Sequence, residues 1–383
     1  MASKFRWIIF QAHWLLGITL GVVLGLMGVT GATMAFEDQI METLSPGVVQ
    51  VAVRAEPVLT PDQLLARFAV QAPEAKPTSL TLRDKAGASA QVTFTSPDAP
   101  KAQKLYLDPY SGVVLGKATG EPFFATVRRL HRWLLLPGDG EGMGRQITGA
   151  AAISLIFFAI SGLYLRWPKR LLDWKVWLKP NLKLKKRGLY WSLHAVAGTW
   201  VFLIYLTIAM TGLTWSYGWY KAGFETVMTG KTEAAAAPAK KAGAKKAKAV
   251  EPLTLDLAWR AAQGAEPGAT QTIITLPKSA AEAVRIRVLP KGAAHERAWD
   301  ELKVSAAGVV TANVRYAEKS LGEKIMSARL AVHRGSFFGL PGAILFMLAA
   351  LSMPLFPITG YLLYLGRRSA AQARRRKQAL AAA

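Results

Sequence analysis

The sequence predicts an α-helical membrane protein with four transmembrane helices arranged as a duplicated pair and two external α+β domains between them. Three observations carry this expectation. Four stretches of at least 20 residues contain no Asp, Glu, Lys or Arg, the basic residues gather beside those stretches, and one set of His, Gly and Thr positions occurs twice. About 20 helical residues cross a hydrocarbon core of about 30 Å, so each stretch can span a bilayer.

The spans are expected at residues 7–36, 146–167, 188–220 and 341–366. Lys4 and Arg6 precede the first, nine Lys/Arg against one Asp lie between Arg166 and Arg187, and six lie between Arg367 and Lys377. By the positive-inside rule, both termini, the basic loop 168–187 and the tail 367–383 are cytoplasmic. The two long connections then lie outside. A rival reading takes the first span as a cleaved signal peptide ending near Thr33-Met34-Ala35. Its length, and the return of its pattern in the third span, argue against cleavage.

The net charge of +24 would suit nucleic-acid binding in a soluble domain. Placed beside apolar runs it marks topology instead, and no nucleic-acid partner is expected. Cysteine is absent, which excludes thiolate catalysis, disulfides, iron–sulfur clusters and cysteine zinc sites. No phosphate loop, Gly-x-Ser-x-Gly or His-Glu-x-x-His occurs, so neither nucleotide nor hydrolytic chemistry is indicated.

The first external domain, 37–127, predicts a helix from Pro61 to Val70 and strands around Leu80–Arg83 and Ala90–Phe94. It closes on Leu105 to Gly116, two strands about an Asp-Pro-x-Ser-Gly turn. The second domain, 221–326, repeats this order with a helix near Leu253–Gly264 and strands near Thr272–Leu276, Ala283–Val288 and Leu302–Ala312. Its Ala/Lys tract at 234–250 reads as a linker. Short interfacial segments, 128–145 and 327–340, lead into the second and fourth spans.

Four of the five histidines stand at matching positions in the two halves. His13, Gly17, Thr30 and Gly31 in the first span correspond to His194, Gly198, Thr211 and Gly212 in the third, with identical offsets of 4, 17 and 18. His131 and His333 each sit in an Arg-rich segment, 128–132 and 329–334, with Leu-Pro-Gly following. His13 and His194 lie near the cytoplasmic ends of parallel spans, His131 and His333 near the external face. Two pairs at two depths suit two b-type haems with bis-histidine ligation. The bland alternative is helix packing by hydrogen-bonded histidines.

Gly17 and Gly198, one turn beyond their histidines, leave room for a porphyrin, and Gly31 and Gly212, eighteen residues or five turns beyond the histidines, share that face about 27 Å from them. Arg128, Arg132, Arg329 and Arg334 could pair with haem propionates, or could simply snorkel to the interface. His295 reads as a surface residue. Met34, Met143, Met210 and Met353 read as apolar filler, and Trp133, Trp167, Trp191, Trp215 and Trp219 as an aromatic belt.

Taken together, His13 to Gly31, Leu105 to Gly116, Arg128 to Trp133, Tyr190 to Gly212 and Arg329 to Gly360 resemble the PepSY-associated transmembrane proteins. The resemblance spans essentially the whole chain. That family includes inner-membrane siderophore reductases acting on ferrioxamine-type chelates. The resemblance implies a bacterial inner-membrane location, periplasmic PepSY-like domains, and haem held by His13, His131, His194 and His333. It further implies reduction of a ferric siderophore at the periplasmic side, with a quinol or a cytoplasmic reductase as donor. The second domain departs from the pattern, with Ser305-Ala-Ala-Gly where the first has Asp-Pro. Other readings stay open: a cytochrome b for a flavin or copper chelate, a PepSY-type module that restrains a peptidase without redox activity, or a transporter. The transporter reading is disfavoured by the lack of charged residues inside the spans.

Overall fold

The computed structural model describes residues 4–231, 254–277, 279, 282–305 and 307–382, so the 234–250 tract lies outside the described residues. The chain begins with α1 (Lys4–Thr19), α2 (Gly21–Thr33), α3 (Glu37–Leu44) and α4 (Pro61–Gln71). Strands β1 (Lys76–Arg83), β2 (Ala90–Ser96), β3 (Ala99–Leu107) and β4 (Val114–Gly116) follow. Next come α5 (Glu121–Trp133), α6 (Met143–Arg166), α7 (Trp174–Leu178), α8 (Arg187–Ser216) and α9 (Gly218–Thr229). The second α+β half holds α10 (Leu255–Ala265), β5 (Gln271–Thr275), β6 (Val284–Leu289), β7 (Asp300–Val304) and β8 (Val310–Val314). The chain ends with α11 (Leu321–Ser327), α12 (Arg329–Arg334), α13 (Gly339–Leu351) and α14 (Leu355–Ala382).

Contacts divide the chain into two units. One comprises Met1–Ala35, Ala125–Phe224 and Val332–Ala383, the other Phe36–Phe124 and Glu225–Ala331.

The first unit is helical. Three helical stretches are long and apolar enough to cross a membrane, Met143–Arg166, Arg187–Ser216 and Ser336–Ala382. The α1–α2 pair makes a fourth if counted as one span, but it bends by 58°. The bend lies where Gly25 receives Pro354 from the break between α13 and α14, and Gly21 receives Pro357 from the first turn of α14. Gly28, one turn on, meets the Ala350 carbonyl and Met353 so closely that no Cβ would fit. Small residues thus let the bent span close on the broken one. Leu24, Ala151, Leu155, Val201, Tyr205, Ala209, Ala349 and Met353 form the buried core that these spans share with α6 and α8. Leu203, Leu345 and Ile358 face outward, as expected where the solvent is hydrocarbon. The tail beyond residue 366 continues as helix to Ala382.

In the second unit both α+β halves join one antiparallel sheet of order β4-β3-β2-β1-β5-β6-β7-β8. The junction is the β1–β5 ladder, with Leu80 opposite Ile274 and Leu82 opposite Thr272. Pairing the two edges hides backbone groups that separate domains would expose. Helix α4 packs Leu64 and Phe68 on the first half, and α10 packs Leu255, Ala258 and Ala262 on the second. The helix starts cap each other: Asp62 accepts from the Leu255 and Asp256 amides at 3.2 and 3.0 Å, and Asp256 accepts from the Asp62 amide at 2.9 Å. The Asp-Pro turn also forms, with buried Asp108 accepting from the Tyr110 and Ser111 amides and from Arg54.

His295 is a correction to the sequence reading. It is buried rather than exposed. Its Nδ1 accepts from the Arg297 amide at 3.1 Å, so Nε2–H donates to the Tyr316 hydroxyl at 2.9 Å. The partner 21 residues away gives this imidazole a reason to be inside. Burial lowers its pKa below 6.5. Since the folded state disfavours the proton, its contribution is complete above pH 6.5 and declines as pH falls below that value. Amide exchange around residues 295–316 is therefore expected to quicken between pH 7 and pH 5 beyond its intrinsic pH dependence, and to lose that extra sensitivity in His295→Gln.

Candidate functional site

The four repeated histidines meet in two pairs within the helical unit. His13 on α1 and His194 on α8 have ring centroids 6.3 Å apart, with planes at 61°. His131 on α5 and His333 on α12 stand 6.5 Å apart at 77°. Each member of a pair comes from a different half of the duplicated sequence.

Every one of these imidazoles is held at Nδ1 by a hydroxyl from a spanning helix. His13 pairs with Ser161 of α6 at 2.7 Å, and His194 with Thr359 of α14 at 2.8 Å. His131 pairs with Thr30 of α2 at 3.0 Å, and His333 with Thr211 of α8 at 2.9 Å. Each hydroxyl already donates its only hydrogen to the carbonyl four residues earlier: Phe157, Leu355, Leu26 and Thr207 respectively. A hydroxyl so committed can only accept, which puts the imidazole proton on Nδ1. Nε2 is then the basic nitrogen of all four rings, and it forms no hydrogen bond among the described residues. Backbone at Met27 and Ile208 also hydrogen-bonds His131 and His333, in keeping with that tautomer.

His131 and His333 precede the spans in short helices of their own. Burial foremost, with Arg132 and Arg334 adding to it at His131 and with His131 and Arg334 adding to it at His333, lowers both pKa values below 6.5. Both are neutral at pH 7, the form that ligates a metal. The chain stops sharply after each. Leu134 and Leu135 adopt positive φ beyond His131, and Gly335 caps α12 in the left-handed conformation two residues beyond His333.

Aromatic rings wall the sites. Phe158 lies 5.1 Å from His13, Phe356 5.3 Å from His194, and Trp215 5.5 Å from His333. Trp215 therefore packs on a candidate ligand, whereas the sequence reading placed it in an interfacial belt. A Cβ at Gly17 would meet nothing within 4 Å, so that position is open as expected. Gly198 differs, facing the Phe356 ring at 3.6 Å. Gly31 and Gly212 abut the Cε1 edges of His131 and His333, at 3.2 and 3.3 Å from a notional Cβ.

Arg128 and Arg132 lie one turn apart on α5, and the Arg132 guanidinium rests 4.7 Å over Trp133. Arg334 adjoins His333, and Arg329 sits one turn earlier on α12. The arginines around His131 thus concentrate positive charge beside the His131–His333 pair.

The holding hydroxyls are what sequence reasoning missed. A signal was present, because each span carries a hydroxyl residue followed by glycine: Thr30-Gly31, Ser161-Gly162, Thr211-Gly212 and Thr359-Gly360. The hydroxyl orients an imidazole, and the missing side chain beside it makes space.

Among the described residues no cluster of three or more His, Asp or Glu gathers. Each level therefore offers two neutral nitrogens, suited to gripping one metal from opposite sides. No curated protein matches the chain. The family model described as the PepSY-associated TM region matches residues 10–367, and the chain belongs to that family.

Proposed function

We propose that this protein is a bacterial inner-membrane reductase that holds b-type haem at two levels and passes electrons to a ferric siderophore in the periplasm. One observation carries the reading: two imidazole pairs, each with Nδ1 tied to a hydroxyl and Nε2 left basic. With metal–nitrogen bonds of about 2 Å, two imidazoles gripping one iron have ring centres about 6 Å apart. The spacings of 6.3 and 6.5 Å fit. Two ligands alone hold a bare ion poorly, whereas a macrocycle brings its own equatorial nitrogens, so the donor set suits haem better than a free metal.

His13 and His194 would hold one group, His131 and His333 the other. When bound, each haem supplies a one-electron carrier. Ser161, Thr359, Thr30 and Thr211 fix the imidazole tautomers and keep each Nε2 available. Phe158, Phe356 and Trp215 keep water from the ligands. Along α8, His194 and Thr211 are 17 residues apart, so one continuous helix spans both levels over about 25 Å. The basic clusters support placing both termini inside and the sheet unit outside.

Arg128, Arg132 and Arg334 would draw an anionic group to the outer level. Ferric iron accepts one electron there and becomes ferrous. Its hard oxygen donors favour the higher charge, so the chelate loosens and no covalent bond to the siderophore need break. A quinol or a cytoplasmic reductase would supply the electron.

The test is an ultraviolet–visible spectrum of the full-length protein purified from haem-replete cells. Dithionite is expected to bring up a b-type α band. Mixing the reduced protein with a ferrioxamine-type chelate should then reoxidise it and yield Fe(II). A colourless preparation ends the haem reading, and reduced protein inert toward ferric chelates ends the choice of acceptor.

A further inference from the structure

Helices α1 and α14 run antiparallel and meet along a seam of paired positions. At its basic end the Arg367 guanidinium lies 4.3 Å over the Phe10 ring. One turn further in, Trp14 packs on Tyr364 at 5.3 Å. Beyond them, a Cβ at either Gly17 or Gly360 would meet nothing within 4 Å. The Arg187 side chain lies along Gly366, with its Cδ 3.7 Å from where a Cβ would stand, so its charge sits next to that of Arg367.

Two facts make this arrangement incomplete. The Trp14 indole Nε1 is buried and has no hydrogen-bond partner, and a buried donor left unmade is costly. No salt bridge among the described residues reaches Arg187 or Arg367. Nor is a carboxylate near at hand in sequence. Residues 1–36 and 324–383 contain none, and 142–224 contain only Asp173, which caps α7 by accepting from the Lys175 amide. Arg187 and Arg367 are themselves exposed, and two neighbouring guanidiniums that flank a buried, unmade indole donor with no carboxylate in reach suit an anion.

We propose that Trp14, Arg187 and Arg367 form a binding site for an oxyanion, a carboxylate or a phosphate, at the basic end of the α1–α14 seam. Two sources fit. A haem held by His13 and His194 would bring propionates. Arg367 lies eight residues, about 12 Å of helix rise, from Thr359, and its side chain, leaning back toward the helix N-terminus, covers roughly half of that distance. An anionic lipid would bring a phosphate from the inner leaflet. The propionate source rests on the proposed function; the phosphate source does not.

Full-length Arg367→Gln and Trp14→Phe separate the sources, with Arg374→Gln on the exposed tail as control. In a redox titration of the haem-loaded protein, a propionate source predicts that one of two midpoints falls by about 59 mV, about tenfold less favour for the reduced form, while the other stays. In native mass spectrometry of protein from haem-deprived cells, a lipid source predicts severalfold loss of bound phosphatidylglycerol in the variants and unchanged midpoints. Arg367→Lys, which keeps the charge, should retain whichever signal is lost and so excludes misfolding. If the preparation lacks haem, the proposed function fails and lipid retention alone decides. Unchanged midpoints together with unchanged lipid retention overturn the site.

Discussion

His333→Ala is expected to keep about half of the reduced α-band absorbance per chain, His13→Ala to keep the other half, and the double variant to show none. The reason is that each level has its own two ligands and shares none with the other. Substitutions more than about 10 Å apart with no common partner act additively, and α8 sets the levels about 25 Å apart. Pyridine haemochrome content measures the stoichiometry directly. Bleaching of both bands by His333→Ala alone would mean that the pairs do not act separately, and no loss in either variant would remove the histidines from the ligand set.

Thr211→Val and Thr359→Val refine that result, since valine keeps the volume and deletes the acceptor. The imidazole Nδ1–H then lies unpaired among helices, and a deleted outer-shell partner of this kind lowers metal-group affinity by roughly 10–100-fold. The α band should survive purification yet drain to apomyoglobin much faster than in the parent. Serine at position 211 or 359 restores the acceptor and should restore retention. Equal retention in the valine variants would show that the hydroxyls pack the helices without orienting the rings.

The spans and the two histidine pairs were legible because each rests on a short-range or repeated signal. Charge-free runs mark the helices, and the offset of 17 residues from His13 to Thr30 and from His194 to Thr211 exposes the duplication. What stayed hidden depends on partners far along the chain. Leu20 carries no mark of a bend; the 58° turn becomes sensible only when Pro354 and Pro357 are seen lying on Gly25 and Gly21. Ser161 and Thr359 are ordinary helix residues until a histidine 148 or 165 positions away faces them. His295 reads as exposed because its neighbours Glu296 and Arg297 are polar, while the Tyr316 hydroxyl that satisfies it sits beyond β7 and β8. The joined sheet was hidden for the same reason, since no local pattern says which edge strand β1 will find.

That junction predicts the largest loss of stability in the chain. Leu80 and Ile274 face each other across the β1–β5 ladder, and both are 0% exposed. Alanine at either site removes a well-packed aliphatic side chain at about 2–5 kcal/mol, against a stability of about 5–15 kcal/mol for a typical domain. Leu80 belongs to the core under α4 and Ile274 to the core under α10, yet one ladder joins them. Hydrogen exchange of the full-length protein should therefore show protection falling in both halves when only one is altered. Val70→Ala, at an exposed position, should change neither half. The double variant should cost less than the sum of the singles, because residues in contact couple. If Ile274→Ala loosens β5 to β8 and leaves β1 to β4 protected, the halves are separate folding units that merely touch. Cooperative loss has a further consequence, because the residue 36–124 connection joins the first two spans and the 225–331 connection joins the last two. A sheet that forms only from both ties the two connections, and with them the duplicated halves of the sequence, to one another.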